Sequence, residues 1–161
     1  MNYIELFKDI PPQIAILLMT MIPIAENRVS IPVALGIYKM SVWQAIFWSS
    51  IGDIIAAFII VYSLNKVYSF MSNRANFIDK IFDWFFTRTE RKFAKKYEKW
   101  GEIALMIFVA IPLPVTGAWT GSIASFLFGI KPWRALLFIS AGVIISGVII
   151  SLGSLGIFKI F

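Results

Sequence analysis

Glu26, Asn27 and Arg28 lie in the run MIPIAENRVSIP, Met21 to Pro32, inside a region that is otherwise apolar over about the thickness of a bilayer. An ionised side chain at the bilayer centre costs roughly 2.5 to 3.5 kcal/mol on the mildest scale, so such residues pair, meet water or hold a ligand. Desolvation favours a protonated carboxyl and a neighbouring Arg favours an ionised one, so the charge of this pair responds to substrate or pH. On this reading Glu26 couples protons and Arg28, whose fork suits phosphate or carboxylate, binds an anion. The competing reading is an ion pair that clamps the segment to a facing one. Asp53 is the other acid at depth, as a proton relay with Glu26 or as a hydrogen-bonding cap toward the opposite segment.

A second polar interruption, PLPVTGAWTGS, runs from Pro112 to Ser122. Thr116, Thr120 and Ser122 offer hydroxyls, Gly117 and Gly121 let backbone amides approach a ligand, and the helix that follows adds a positive dipole end. With Arg28 these residues make an anion pocket; otherwise Gly and Thr serve close helix packing. The chain contains no Cys and no His, which removes disulfides, zinc sites, catalytic thiols and His proton shuttles. Thr or Ser with Glu26 is what remains for an intramembrane enzyme, so no enzyme, cofactor or metal is expected.

The elements that carry these residues are membrane-grade. Over 161 residues the chain is 59% hydrophobic with a mean hydropathy of +0.80, too apolar for a soluble domain, and reads as one integral membrane domain. Six tryptophans suit anchoring at both interfaces. The net charge of +6 is concentrated in one central segment, so anionic lipid, and not nucleic acid, is the expected neighbour. Glu5, Lys8 and Asp9 precede the first apolar run, with no basic n-region or small-residue cleavage site, so no removable signal peptide is expected.

In chain order, a short amphipathic piece ends at Pro11 and Pro12, which open a helix from about Gln13 to Ile22. This is about half the length a span requires. Pro23 and Pro32 each remove a backbone donor, so the segment between them is expected to be unwound or bent, with a second short helix over Ile31–Tyr38. Non-helical backbone survives at membrane depth only where protein or water satisfies it, so the pair reads as a re-entrant hairpin. A long apolar helix follows from Ser41 to about Tyr68. Residues 67–100 form a basic linker in which Phe77, Ile78, Ile81, Phe82, Phe85 and Phe86 recur at helical spacing. They read as amphipathic helices on the membrane face or as a helical hairpin packed on the domain.

The pattern returns from Ala104, with a short helix, breaks at Pro112 and Pro114, a short apolar piece to Ile130 and a long helix over Pro132–Ile157. A shift of 90 residues puts Trp43-Gln44-Ala45 on Trp133-Arg134-Ala135 and Gly52 on Gly142; a shift of 89 puts Pro23 on Pro112. Weak identity with the same hydropathy order is the form of an internal transporter repeat. The units are repeat 1 over 11–66, the linker over 67–100 and repeat 2 over 101–158. If each unit is a hairpin plus one span, the second is inverted; four full spans are the rival. Lys and Arg do not separate the two, since each arrangement puts eleven of them on the linker side. The Pro, Gly and charge content at the middle of both would-be spans favours hairpins. Small residues on the last span, Gly142, Ser146, Gly147, Ser151 and Gly153, read as packing.

The runs PIAENR and PLPVTGAWTG, with a basic middle, resemble the small multidrug export family over essentially the whole chain. That family is similar to the DedA, or VTT, superfamily, whose members have two inverted units of re-entrant hairpin plus span. They include proton-dependent translocases of polyprenyl phosphate and lipid scramblases. The resemblance implies that Glu26 is the hairpin acid, Arg28 a nearby basic residue and Asp53 the acid on the following span. DedA proteins carry arginines in the second hairpin where this chain has Thr116, Thr120 and Ser122. The expected fold is an all-α membrane protein with an inverted repeat. The expected function is a proton-coupled transporter or lipid flippase with a midplane site, acting as a homodimer among plasma-membrane lipids with the linker cytoplasmic. A structural or accessory membrane protein is the alternative.

Overall fold

The computed structural model describes residues 10–72, 100–113 and 116–160, and six helices make up their regular structure. In order these are α1 (Pro12–Thr20), α2 (Glu26–Gly36), α3 (Val42–Ser72), α4 (Trp100–Ala110), α5 (Ala118–Leu127) and α6 (Pro132–Ile160). The order short, short, long occurs twice. Of the linker read as amphipathic helices, residues 73–99 lie outside the described residues, as does Pro114.

Local sequence accounts for most of the boundaries. Pro12 opens α1, where its missing N–H costs nothing. The chain then leaves the helix over Met21–Ala25, around Pro23, in a turn held by the Ala25 N–H donating to the Ile22 carbonyl at 3.0 Å. Ser41 and Gln44 form a reciprocal capping box at the start of α3: Ser41 N–H donates to Gln44 Oε1 at 3.2 Å, and Gln44 N–H to Ser41 Oγ at 3.4 Å. At the matching place in α6, Pro132 takes the first position.

Pro32 departs from expectation. It lies inside α2, so the first break is confined to Met21–Ala25 and the second helix starts at Glu26, five residues before the expected Ile31. A proline removes one donor, and neighbouring helices can hold the rest of the turn in place. Here Ile31 is fully buried, and the Ser30 hydroxyl, which donates to the Glu26 carbonyl, is hydrogen-bonded to the Ser49 hydroxyl of α3 at 2.9 Å. Packing overrides the local cost.

α3 and α6 are long and apolar enough to cross a membrane over Val42–Leu64 and Pro132–Gly156. Only 44% and 39% of their most apolar windows is buried, unlike the core helix of a soluble protein. The exposed remainder is Phe47, Ile55, Phe58 and Ile59 on one and Ile144, Ile145, Val148, Ile149 and Leu152 on the other, a surface suited to acyl chains. The molecule is a membrane protein.

The long helices hold the short ones through equivalent contacts. A Cβ on Gly52 would meet the Leu17 carbonyl oxygen of α1 at 2.5 Å and Thr20 Cβ at 3.0 Å. A Cβ on Gly142 would meet the Met106 carbonyl oxygen of α4 at 2.7 Å and Val109 Cβ at 2.8 Å. Leu17 to Met106 and Thr20 to Val109 are shifts of 89, and Gly52 to Gly142 is a shift of 90, the two shifts read from the sequence. The short-to-long turns match as well, with Lys39 (φ 52°) and Gly129 (φ 65°) both left-handed and 90 apart.

Candidate functional site

The two breaks meet. Glu26, the first residue of α2, reaches across to the start of α5, where the Trp119 N–H donates to its Oε1 at 3.1 Å and the Ala118 N–H is also directed at the carboxyl. The first N–H groups of a helix lack intrahelical partners and form its positive end, so a carboxylate is favoured there. The positive end expected to receive a ligand is thus met by the protein's own Glu26. Gly117 makes the approach possible: a Cβ there would fall 2.6 Å from Glu26 Cδ, and its φ of 156° also favours glycine. Glu26 itself has φ 40°, a left-handed conformation that costs a non-glycine residue of order 1 to 3 kcal/mol and persists only where the surroundings enforce it.

Arg28 flanks the carboxylate. Its Nη2 lies 3.8 Å from Glu26 Oε2 and donates to Thr116 Oγ1 at 3.4 Å. The Arg28 side chain is 28% exposed, so the pair opens toward the surface on one side. Trp119 adds a third tie, its indole N–H donating to the Met21 carbonyl in the first break at 3.2 Å.

Behind this lock lies a buried polar cluster. Asp53, 2% exposed on α3, faces the start of α2, with the Asn27 backbone N–H directed at its carboxyl. The Asn27 side chain donates from Nδ2 to the Val143 carbonyl of α6 at 3.1 Å. Gly147 lies beside that amide, its Cβ position 3.6 Å from Nδ2. A cavity of about 10 Å³ is lined by Glu26, Asn27, Arg28, Asp53, Gly117 and Ser146, among others.

The structure therefore brings together Glu26, Asn27, Arg28, Asp53 and Gly117, with Thr116 joined through Arg28. It turns the others elsewhere. The Thr120 hydroxyl bonds the Gly117 carbonyl at 3.4 Å and the Ser122 hydroxyl the Ala118 carbonyl at 2.6 Å, both within their own segment. Gly121 faces Val109, where a Cβ would meet Cγ2 at 2.5 Å, which is helix packing. Pro23 and Pro112 lie in the breaks, and Pro32 lies within α2. Trp119, Ser146 and the Val143 carbonyl were not expected. Only Trp119 carries a sequence signal, as an indole beside the second break in a chain where buried donors need acceptors.

Compared with known protein families, residues 26–149 match the family described as "Putative small multi-drug export protein". No curated protein and no solved structure matches the chain.

Proposed function

This chain belongs to the small multi-drug export protein family, and we propose that it is a secondary transporter whose two breaks form a midplane site. The observation that carries the reading is the Glu26 carboxylate of one unit seated on the α5 N-terminus of the other, with Arg28 beside it and Asp53 behind. A carboxylate so placed ties the units together when ionised and loosens its hold on the amides when it takes a proton. Proton entry and opening between the breaks are then one event. The substrate is small or amphipathic and anionic, a lipid phosphate included, because the freed Ala118 and Trp119 amides and the Arg28 guanidinium are all donors.

The architecture in this reading is one membrane domain of two inverted units, each a re-entrant pair of short helices plus one span. Short-helix lengths of nine and eleven residues in α1 and α2 support it, since about 20 are needed to cross. So does the pairing of α3 with α6: Ile46 lies opposite Gly147, while Ala57 and Val61 share a cluster with Ala135 and Ile139. That places the start of each long helix beside the later part of the other. The linker's Lys and Arg face the cytoplasm, the membrane is the plasma membrane, and a homodimer shields the thin bundle.

Reconstitution in liposomes under a proton gradient tests this. The unaltered protein should move protons together with a labelled amphipathic anion or lipid phosphate, and Glu26→Gln should abolish the coupling while the protein still folds. If the unaltered protein moves neither, or if Glu26→Gln transports at full proton dependence, the reading fails. Cysteine labelling from each side at positions flanking Pro23 and Pro112 tests the inverted arrangement.

A further inference from the structure

Two acceptors at the deepest point of the cluster have no partner. Asn27 Oδ1 and Asp53 Oδ1 are fully enclosed and accept no hydrogen bond, and both residues line the same cavity of about 10 Å³. The amide cannot be turned to relieve this. Its Nδ2 donates to the Val143 carbonyl, which can only accept, so Oδ1 must be the atom left facing away. Arg28 bonds neither oxygen, since its direct contacts are to Thr116 and Glu26. A buried acceptor left bare has given up its hydration without return, at greater cost when charged, so two on one cavity mark a place where something positive or protic belongs.

We propose that this cavity binds a dehydrated monovalent cation, with sodium the probe of choice, between Asn27 Oδ1 and Asp53 Oδ1. Size and charge select the class. The volume is about that of one water, which excludes an organic cation and any ion that keeps its hydration shell. Among the lining side chains, Glu26 and Asp53 face the single guanidinium of Arg28, one negative charge in excess when both acids are ionised. A monovalent cation balances that; a divalent ion reverses it, and magnesium in particular dehydrates reluctantly. An amide oxygen, a carboxylate and the Ser146 hydroxyl are hard oxygen donors, the type that holds such ions near broken helices. The ion also bridges elements: Asn27 is on α2, Asp53 on α3 and Ser146 on α6. Its presence fixes the start of α2, and with it Glu26. Coupling of the ion to transport rests on the reading above; binding does not.

The test uses the purified full chain in detergent at constant ionic strength. Sodium should raise the thermal midpoint over choline by roughly 5 °C when it exceeds its Kd a hundredfold, and Asp53→Asn and Asn27→Ala should each remove the rise. Radioactive sodium should bind the unaltered protein and be displaced by unlabelled sodium but not by choline, which decides the matter if the variants fail to fold. Equal midpoints in sodium, potassium and choline together with no displaceable binding would overturn the proposal, leaving a water or a proton in the cavity. A sodium effect that survives in both variants would overturn it too. Sodium binding without any transport would retain this site and remove the transporter reading; proton-driven transport without sodium binding would do the reverse.

Discussion

Gly117 and Glu26 share one space: the Glu26 carboxylate lies where a Gly117 side chain would have to be, with Cδ 2.6 Å from the Cβ position. Neither residue can change without the other feeling it.

Gly117→Ala should therefore destabilise by about 2 to 4 kcal/mol, from the displaced carboxylate and the strained φ together. The effect should shrink in a Glu26→Ala background, where the space is open, although the φ cost persists. A double-mutant cycle in mixed micelles should show a coupling of roughly 1 kcal/mol or more. Simple additivity would mean that the two residues do not meet.

The glycines of the long helices give a contrast within one residue type. Gly52→Ala and Gly142→Ala press on backbone carbonyls of α1 and α4, which cannot swing away, and each should cost about 1 to 3 kcal/mol. Gly153 has nothing within 4 Å of its Cβ position, so Gly153→Ala should stabilise by roughly 0.5 to 1 kcal/mol through helix propensity alone. Thermal midpoints of the three variants check this. Equal effects at all three would refute the close backbone contacts at Gly52 and Gly142, and a loss at one of those two without the other would refute their equivalence.

How much of this was legible follows from what each signal depends on. The matched positions were readable because Pro23, Pro112, Gly52 and Gly142 occupy places where backbone geometry leaves few alternatives, and the shifts of 89 and 90 reappear in contacts and turns. The grouping of Glu26, Arg28 and Asp53 was readable because charge at depth has few places to go. Pro32 misled, since its cost is local while the grip of Ile31 and Ser30 on neighbouring helices is not visible along the chain. Thr120 and Ser122 misled for the opposite reason: a hydroxyl can always bond a carbonyl of its own helix, and nothing in the sequence says which partner it takes.

Trp119→Phe isolates the third tie between the breaks. Phenylalanine keeps most of the packing but leaves the Met21 carbonyl without its indole donor. The expected loss is about 0.5 to 1.5 kcal/mol, rising if the carbonyl finds no water. The Trp119 backbone N–H still caps Glu26, so a proton dependence of transport, where present, should be retained. Loss of that dependence in Trp119→Phe with unchanged stability would shift the role from tie to site.

Lys39 and Gly129 offer a prediction with opposite signs at matching positions. Both end a short helix in a left-handed conformation before a long one begins, at φ 52° and φ 65°. Glycine enters that region without steric cost, whereas an L side chain pays roughly 1 kcal/mol or more, offset in part because glycine loses more freedom on folding. Lys39→Gly should therefore leave stability unchanged or raise it by up to about 1 kcal/mol, and Gly129→Ala should lower it by about 1 kcal/mol. Lys39 has no ion pair among the described residues, so little electrostatic loss opposes the gain. Unfolding midpoints of the two variants, read beside the unaltered chain, check the signs. A marked loss in Lys39→Gly would mean that the turn is held by the lysine side chain and not by its backbone.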